Sequence, residues 1–214
     1  MARSAAKLLS VLDSMITIDP TSKIYKRSES IVFHKTKEAY GDLSNMAAGY
    51  PIKINGTHIL TSEALYQACR YPHLPDIQKA ILSEASPMAA KMKSKPHRKS
   101  SSRADWDEQR VAIMEWCLRT KLAMNRTGFG RFLLATKDKP VVEQSAKDPF
   151  WGALVVDDDT LKGQNVLGQL LVGLREEIKA GNVEHGFVEP LAIPDFLLYG
   201  QPIPQLGFRS SLQQ

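Results

Sequence analysis

The sequence has only two cysteines, Cys69 and Cys117, far apart and each inside a helical apolar pattern. That spacing argues against a disulfide framework and for two buried thiols in a cytoplasmic protein. No Cys/His cluster has metal-ligand spacing, so neither structural zinc nor any other metal or cofactor is expected. Long hydrophobic runs are missing as well. None approaches the roughly 20 apolar residues of a membrane helix, so no membrane association is expected. The opening stretch, Met1 to Leu9, carries basic and apolar residues, but its apolar segment breaks at Asp13 and no cleavage site follows. A signal peptide is therefore not expected. There is no internal repeat. What remains is a chain of 214 residues, 43% hydrophobic and 24% charged, which is enough for one sizeable core.

Leu8, Leu9, Leu12 and Ile16 recur at helical spacing, predicting a short helix over 5–16 that Pro20 stops. Ile31-Val32-Phe33 reads as a short strand. Asn55-Gly56, between Ile52-Lys53-Ile54 and Thr57-His58-Ile59-Leu60, predicts a type I′ hairpin. A helix starting at Thr61 or Ser62 carries Ala64, Leu65, Ala68 and Cys69 on one face. Glu63, Tyr66, Gln67 and Arg70 lie on the other. Glu63 falls in the first turn, beside the polar loop Lys35 to Asn45. This pattern fits a ligand site, and it equally fits a capped helix with Glu63 against the helix dipole.

Further helices are predicted from Pro75, from Ser86-Pro87, and from Asp105. Glu108 completes a near capping box with Asp105, and Val111, Met114, Leu118 and Leu122 form the buried stripe of that central helix. A shorter helix follows over 129–136, and Pro140-Val141-Val142-Glu143 reads as a strand. The last long helix opens at Lys162-Gly163-Gln164-Asn165, with Leu167, Leu170, Leu171, Leu174 and Ile178 as its stripe. Gly168 and Gly173 inside it imply close approach to a neighbour or a ligand. The net charge of +5 is uneven: Lys91, Lys93, Lys95, Arg98, Lys99 and Arg103 crowd into a Ser-rich stretch with no apolar periodicity, read as a loop. Such a cluster attracts phosphate, or is simply a solvated face. Beyond Gly181, Pro190, Pro194, Pro202 and Pro204 alternate with apolar residues, predicting an extended arm with a loose end past Phe208. The expected fold is thus mainly α. It comprises a lead-in over 1–29, a helical domain over 30–181 with a small hairpin and short strands, and an arm over 182–214.

Five motifs occur in order: Tyr40-Gly41-Asp42-Leu43-Ser44-Asn45, Thr61-Ser62-Glu63-Ala64-Leu65-Tyr66-Gln67-Ala68, Ser86-Pro87-Met88-Ala89-Ala90, Lys147-Asp148-Pro149-Phe150-Trp151-Gly152 and Gly163-Gln164-Asn165-Val166-Leu167-Gly168. Together they resemble the NADAR (YbiA-like) superfamily over roughly residues 30 to 180. The resemblance implies a mostly helical N-glycosidase. One branch of that family cleaves the phosphoribosyl–amine bond of early riboflavin intermediates. Another removes ADP-ribose that a toxin has placed on guanine in DNA, acting as an antitoxin. The segment Trp106 to Leu122, the stretch Phe33 to Glu38 and the arm around Pro194 to Gly200 look closer to the second branch. That branch implies ADP-ribosylated DNA or nucleotide as substrate, ADP-ribose as product and a cognate toxin encoded nearby.

Breaking an N-glycosidic bond builds positive charge on the anomeric carbon, which a carboxylate stabilises while an acid assists the leaving nitrogen. Glu63 and Asp148 are the candidate acids. Lys35, with Lys37 second, is the candidate amine for a route through a ring-opened imine. Trp106 or Trp151 can stack a base, or serve as hydrophobic anchors. The backbone around Gly152 and Gly163, with Asn165 at a helix start, suits ribose or phosphate oxygens, and Asn45 a ribose hydroxyl or its own turn. The motifs also imply ligand contacts at Lys37, Glu38, Tyr40, Gly41, Ser44, Tyr66, Gln67 and Gly168. Phosphate contacts are expected at Lys95, Arg98, Lys99 and Arg103. A non-catalytic reader of ADP-ribose or nucleic acid is the competing class.

Overall fold

A computed structural model describes residues 15–181 and 187–207. At its centre is a mixed five-stranded sheet in the order β1-β7-β6-β5-β2. The strands are β1 (Lys23–Lys26), β2 (Ile31–Phe33), β5 (Val141–Ser145), β6 (Ala153–Val155) and β7 (Thr160–Gly163). β2 and β5 run parallel, as do β5 and β6, whereas β7 is antiparallel to both β6 and β1. This overturns the expectation of a mainly α domain: the fold is α/β, with helices packed on a sheet. The physical reason lies in the strands themselves. Lys-Ile-Tyr-Lys, Ala-Leu-Val and Thr-Leu-Lys-Gly are too short to display a period of two, and only pairing makes them strands.

The hairpin formed by β3 (Ile52–Ile54) and β4 (Thr57–Ile59) turns at Asn55 (φ 49°) and Gly56 (φ 79°), both in the left-handed region. Helix α1 (Ser62–Cys69) follows, its Thr61 hydroxyl accepting from the Ala64 amide at 3.2 Å. All eight of its residues are buried, the polar face included. Helices α2 (Pro75–Leu82) and α3 (Pro87–Ser94) pack against it. The basic stretch after α3 is not a loop. A 3₁₀ turn (Lys95–His97) runs into the short helix α4 (Arg98–Ser101). Tyr71 fixes its start by donating to the Ser94 carbonyl at 2.8 Å, and Ser102 closes its end on the Arg98 carbonyl at 2.6 Å.

Helix α5 (Trp106–Met124) is the central helix; Met114, Leu118 and Leu122 of the predicted stripe are buried and Val111 is half-buried. Asp105 does not cap it through its side chain, because both carboxylate oxygens take the Arg103 guanidinium instead, at 2.6 and 2.9 Å. A π turn (Arg126–Gly130) leads to α6 (Arg131–Ala135), and α7 (Val166–Lys179) begins only after β7, from Asn165 in the left-handed conformation. Gly168 lets α7 touch the sheet, since a Cβ there would lie 2.1 Å from the Val141 carbonyl oxygen.

The arm after 187 forms short two-stranded pieces, and Phe196, Leu198, Ile203 and Leu206 sink into the main core. The Trp116 indole donates to the Glu189 carbonyl at 2.9 Å and meets Phe196 edge-on at 4.7 Å. Leu8, Leu9 and Leu12 of the predicted first helix and Phe208 of the predicted loose end lie outside the described residues.

Candidate active site

The parallel strands β2 and β5 end on the same side, and their carboxyl ends feed the loops 34–45 and 146–152. In α/β sheets the carboxyl ends of parallel strands are where ligands bind. The first loop delivers Asn45 to the start of α1. The Asn45 carbonyl accepts from the Glu63 amide at 2.9 Å and from the Ser62 hydroxyl at 3.0 Å. Its side-chain amide donates to Glu63 Oε2 at 2.5 Å. One turn along α1, Gln67 donates to Oε1 at 2.9 Å, and Lys91 on α3 brings its ammonium to 3.8 Å. Glu63 is only 3% exposed, so these donors replace the water that burial has stripped from its carboxylate.

The loop is itself anchored by Lys121 of α5. Its ammonium donates to the carbonyls of Asp42 and Ser44 at 2.9 and 3.0 Å and lies over the Phe129 ring at 4.0 Å. Burial pushes this lysine down to about 7, opposed by Asp42.

A second carboxylate completes the cluster, and sequence reasoning missed it. Glu143 follows Val141 on the core-facing side of β5 by the two-residue pleat. Burial first and Glu63 second push its carboxyl up to about 7, with Asp148 adding to the rise and Lys91 opposing it. In the sequence Glu143 shows only as an acid at the end of an apolar strand, and Lys91 only as one of the basic cluster.

Asp148 spends one oxygen on its own turn, accepting the Phe150 and Trp151 amides at 3.0 Å each. That turn offers the Phe150 and Trp151 carbonyls to the first amides of α7, at 3.0 and 3.1 Å. Gly152 and Gly163 stack backbone to backbone there; a Cβ on Gly163 would stand 2.3 Å from the Gly152 carbonyl oxygen. Asn165 bridges to β5, donating to the Val141 carbonyl at 2.8 Å and accepting the Glu143 amide at 3.0 Å. Gly41 packs on the Thr36 carbonyl in the same manner, and the Ser44 hydroxyl accepts the Met46 amide. All these residues thus have packing roles that fix the frame of the site.

Tyr66 stands between the two tryptophans, 5.0 Å from Trp106 and 5.8 Å from Trp151. Burial, then Glu63, push its hydroxyl upward. Trp106 is buried, with Arg70 over its ring at 4.0 Å, whereas Trp151 is half-buried. Lys35 sits on the exposed rim, 71% exposed along its side chain and 3.4 Å from Glu38; Lys37 and Tyr40 are exposed beside it. The ammonium at Glu63 is therefore that of Lys91. Lys95 and Lys99 are exposed, while Arg98 reaches inward to donate to the Gln67 side-chain oxygen Oε1 at 3.3 Å. Arg103 is buried and ties the arm by donating to the Pro194 carbonyl at 2.8 Å. Among the described residues no group of three His, Cys, Asp or Glu could hold a metal ion, and no helix is long and apolar enough to cross a membrane.

These features define an α/β domain whose paired carboxylates lie at the carboxyl end of a mixed sheet, walled by aromatic rings. The chain belongs to the NADAR domain family, which it matches over residues 32–179. It is 37% identical to the N-glycosidase YbiA of Escherichia coli over 152 residues, 69% of this chain and 88% of that protein. It is 32% identical over 152 residues to an N-glycosidase of Nostoc punctiforme, covering 70% of this chain and 93% of that one. A riboflavin biosynthesis protein of Vibrio vulnificus is 32% identical over 184 residues, 80% of this chain but 46% of that longer protein. The NMR structure of Escherichia coli YbiA superposes with a TM-score of 0.61 at 31% identity, covering 73% of this chain and 90% of that one.

Proposed function

We propose that this chain is a cytoplasmic N-glycosidase that releases ADP-ribose from guanine in DNA, the antitoxin to a DNA ADP-ribosyltransferase encoded nearby. The observation that carries the glycosidase is the buried Glu63 in its cradle of Asn45, Gln67 and Lys91, with Glu143 close enough to feel its charge. As the C1′–N bond breaks, its electron pair passes to nitrogen and positive charge builds on the sugar. The Glu63 carboxylate stabilises that charge. Glu143, held near neutrality, donates its proton to the departing nitrogen. A water oxygen then bonds to C1′, and the Glu143 carboxylate takes the proton that water loses. Asp148 holds the turn that presents Trp151 to the base.

The DNA adduct is supported by the segment from Trp106 to Leu122 and by the arm around Pro194 to Gly200, which resemble the antitoxin branch. The exposed Lys95 and Lys99 add a phosphate-attracting rim. A second reading follows from the relatives' names, N-glycosidase and riboflavin biosynthesis protein: a phosphoribosylated riboflavin intermediate as substrate. Both substrates offered in parallel separate the two. Release of ADP-ribose from a modified oligonucleotide supports the first; release of ribose 5-phosphate alone would transfer the assignment to the second, and binding without release would make the chain a reader.

A further inference from the structure

Beside the Glu63 site lies a cleft of about 390 Å³, walled by Arg70, Arg98, Arg103, Arg110, Lys99 and Trp106. Its acidic content is slight: Asp107 lies on the lining, and Asp105 is already engaged by Arg103. Each of the four arginines keeps a buried N–H that finds no acceptor among the described residues: Nε of Arg70, Arg98 and Arg110, and Nη1 of Arg103. Arg103 is the sharpest case, because only 8% of the residue is exposed. Native proteins rarely leave buried donors unmatched, least of all on charged groups gathered in one place. The guanidinium faces are braced, Arg70 over Trp106 at 4.0 Å and Arg110 over Phe150 at 3.9 Å. With Arg70 on one side and Tyr66 on another, the Trp106 indole serves as a wall of the cleft. Burial also lowers the Arg70 guanidinium, and Arg98 adds repulsion, which an entering anion would relieve.

The cleft connects directly to the carboxylate. Arg98 donates to Gln67, and Gln67 donates to Glu63, at 3.3 and 2.9 Å. Glu63 and Arg70 stand seven residues apart on one helical face, about 10 Å along its axis, a span that a ribose carrying a 5′-diphosphate covers. We propose that this arginine cleft is a diphosphate subsite of the same substrate whose glycosidic carbon lies at Glu63. The inference rests on the chain being an N-glycosidase of ADP-ribosyl groups, and it names the part of the substrate that the cleft holds. A compact diphosphate places several charged oxygens in one concavity, where guanidinium forks bind them in pairs. A nucleic-acid backbone spreads single charges along its length and is met by exposed side chains such as Lys95. Arg103, being buried, cannot reach out to such a strand.

Calorimetric titration of the full chain with inorganic pyrophosphate, inorganic phosphate and an unmodified duplex oligonucleotide tests this. The expected result is one pyrophosphate per chain, bound at least tenfold tighter than phosphate and not displaced by the duplex. Arg110→Gln should weaken pyrophosphate about tenfold or more, Arg110→Lys should restore part of it, and the distant Lys53→Gln should change nothing. Pyrophosphate binding no tighter than phosphate, or displacement by the duplex, would overturn the subsite whatever the variants do. If pyrophosphate binds as stated but modified DNA is not cleaved, the cleft stands as a diphosphate site, and the glycosidase assignment falls together with the cleft's place in that substrate. If DNA is cleaved while pyrophosphate fails to bind, the assignment stands and the subsite falls.

Discussion

Replacing Glu143 with glutamine should make the protein more stable and far less active, and the gain in stability should depend on pH. The Glu143 carboxyl is pushed from 4.5 to about 7 by burial and by Glu63. At about 1.4 kcal/mol per pH unit, that displacement costs about 3 kcal/mol once the group is ionised. The sign follows from the raised value. The native state holds this proton more tightly than the unfolded chain, so the stability is full below pH 4.5 and is lost as pH rises through 7. Glutamine keeps the shape and cannot ionise. Urea unfolding should therefore find Glu143→Gln close to the parent at pH 4.5 but more stable at pH 8.5, by up to about 3 kcal/mol. Loss of a general acid should cut turnover by about 10²–10⁴, and the parent's rate should fall as pH rises through 7. Equal stability of the two proteins at both pH values, or undiminished turnover in the variant, would refute the assignment.

Lys121→Met tests the loop anchor. With its lysine lowered to about 7 by burial, the parent should gain stability as pH rises from 7 towards 10, and the variant should lose that gradient in the same unfolding assay. Lys35→Arg separates water attack from the imine route: with water as the nucleophile it should keep its turnover and borohydride should trap nothing on residue 35, whereas near-inactivity together with a trapped sugar would replace the water step by an imine. A trapped adduct on Lys91, the ammonium at Glu63, would reassign that role. Neutralising Lys95 and Lys99 together should flatten the salt dependence of DNA binding by about two in log–log slope, and an unchanged slope would make them a solvated face. Gly168→Ala should lower the melting temperature markedly, since its Cβ would stand 2.1 Å from the Val141 carbonyl oxygen.

Local chemistry made half of this fold legible. Asn55-Gly56 specified its hairpin because two consecutive left-handed residues are a backbone property of those side chains. Thr61 and Ser86 cap their helices for the same local reason. The sheet was hidden because its strands are defined by partners distant in sequence. Ile31 pairs with Val141, and Lys23 pairs with Gly163. The same distance explains the site. Glu63 stood out from its place in a helix's first turn, but Glu143 gains its chemistry only from burial beside Glu63, and Lys91 only from the way α3 packs on α1. The basic cluster showed as charge alone, whereas the fold divides it. Lys95 and Lys99 stay exposed, Arg98 turns inward to Gln67, and Arg103 fastens the arm.

If the Glu63 charge drives cleavage of the N-glycosidic bond to ADP-ribose, removing that charge must slow the chemical step and leave binding intact. Single-turnover release of ADP-ribose from an oligonucleotide carrying one ADP-ribosylated guanine measures this, with parent and Glu63→Gln compared at matched, saturating enzyme. The parent should release ADP-ribose and restore guanine, while Glu63→Gln should still bind the oligonucleotide yet release at least a hundredfold more slowly. Release by Glu63→Gln within tenfold of the parent would remove Glu63 from the chemical step, and no release by the parent would remove this adduct as the substrate.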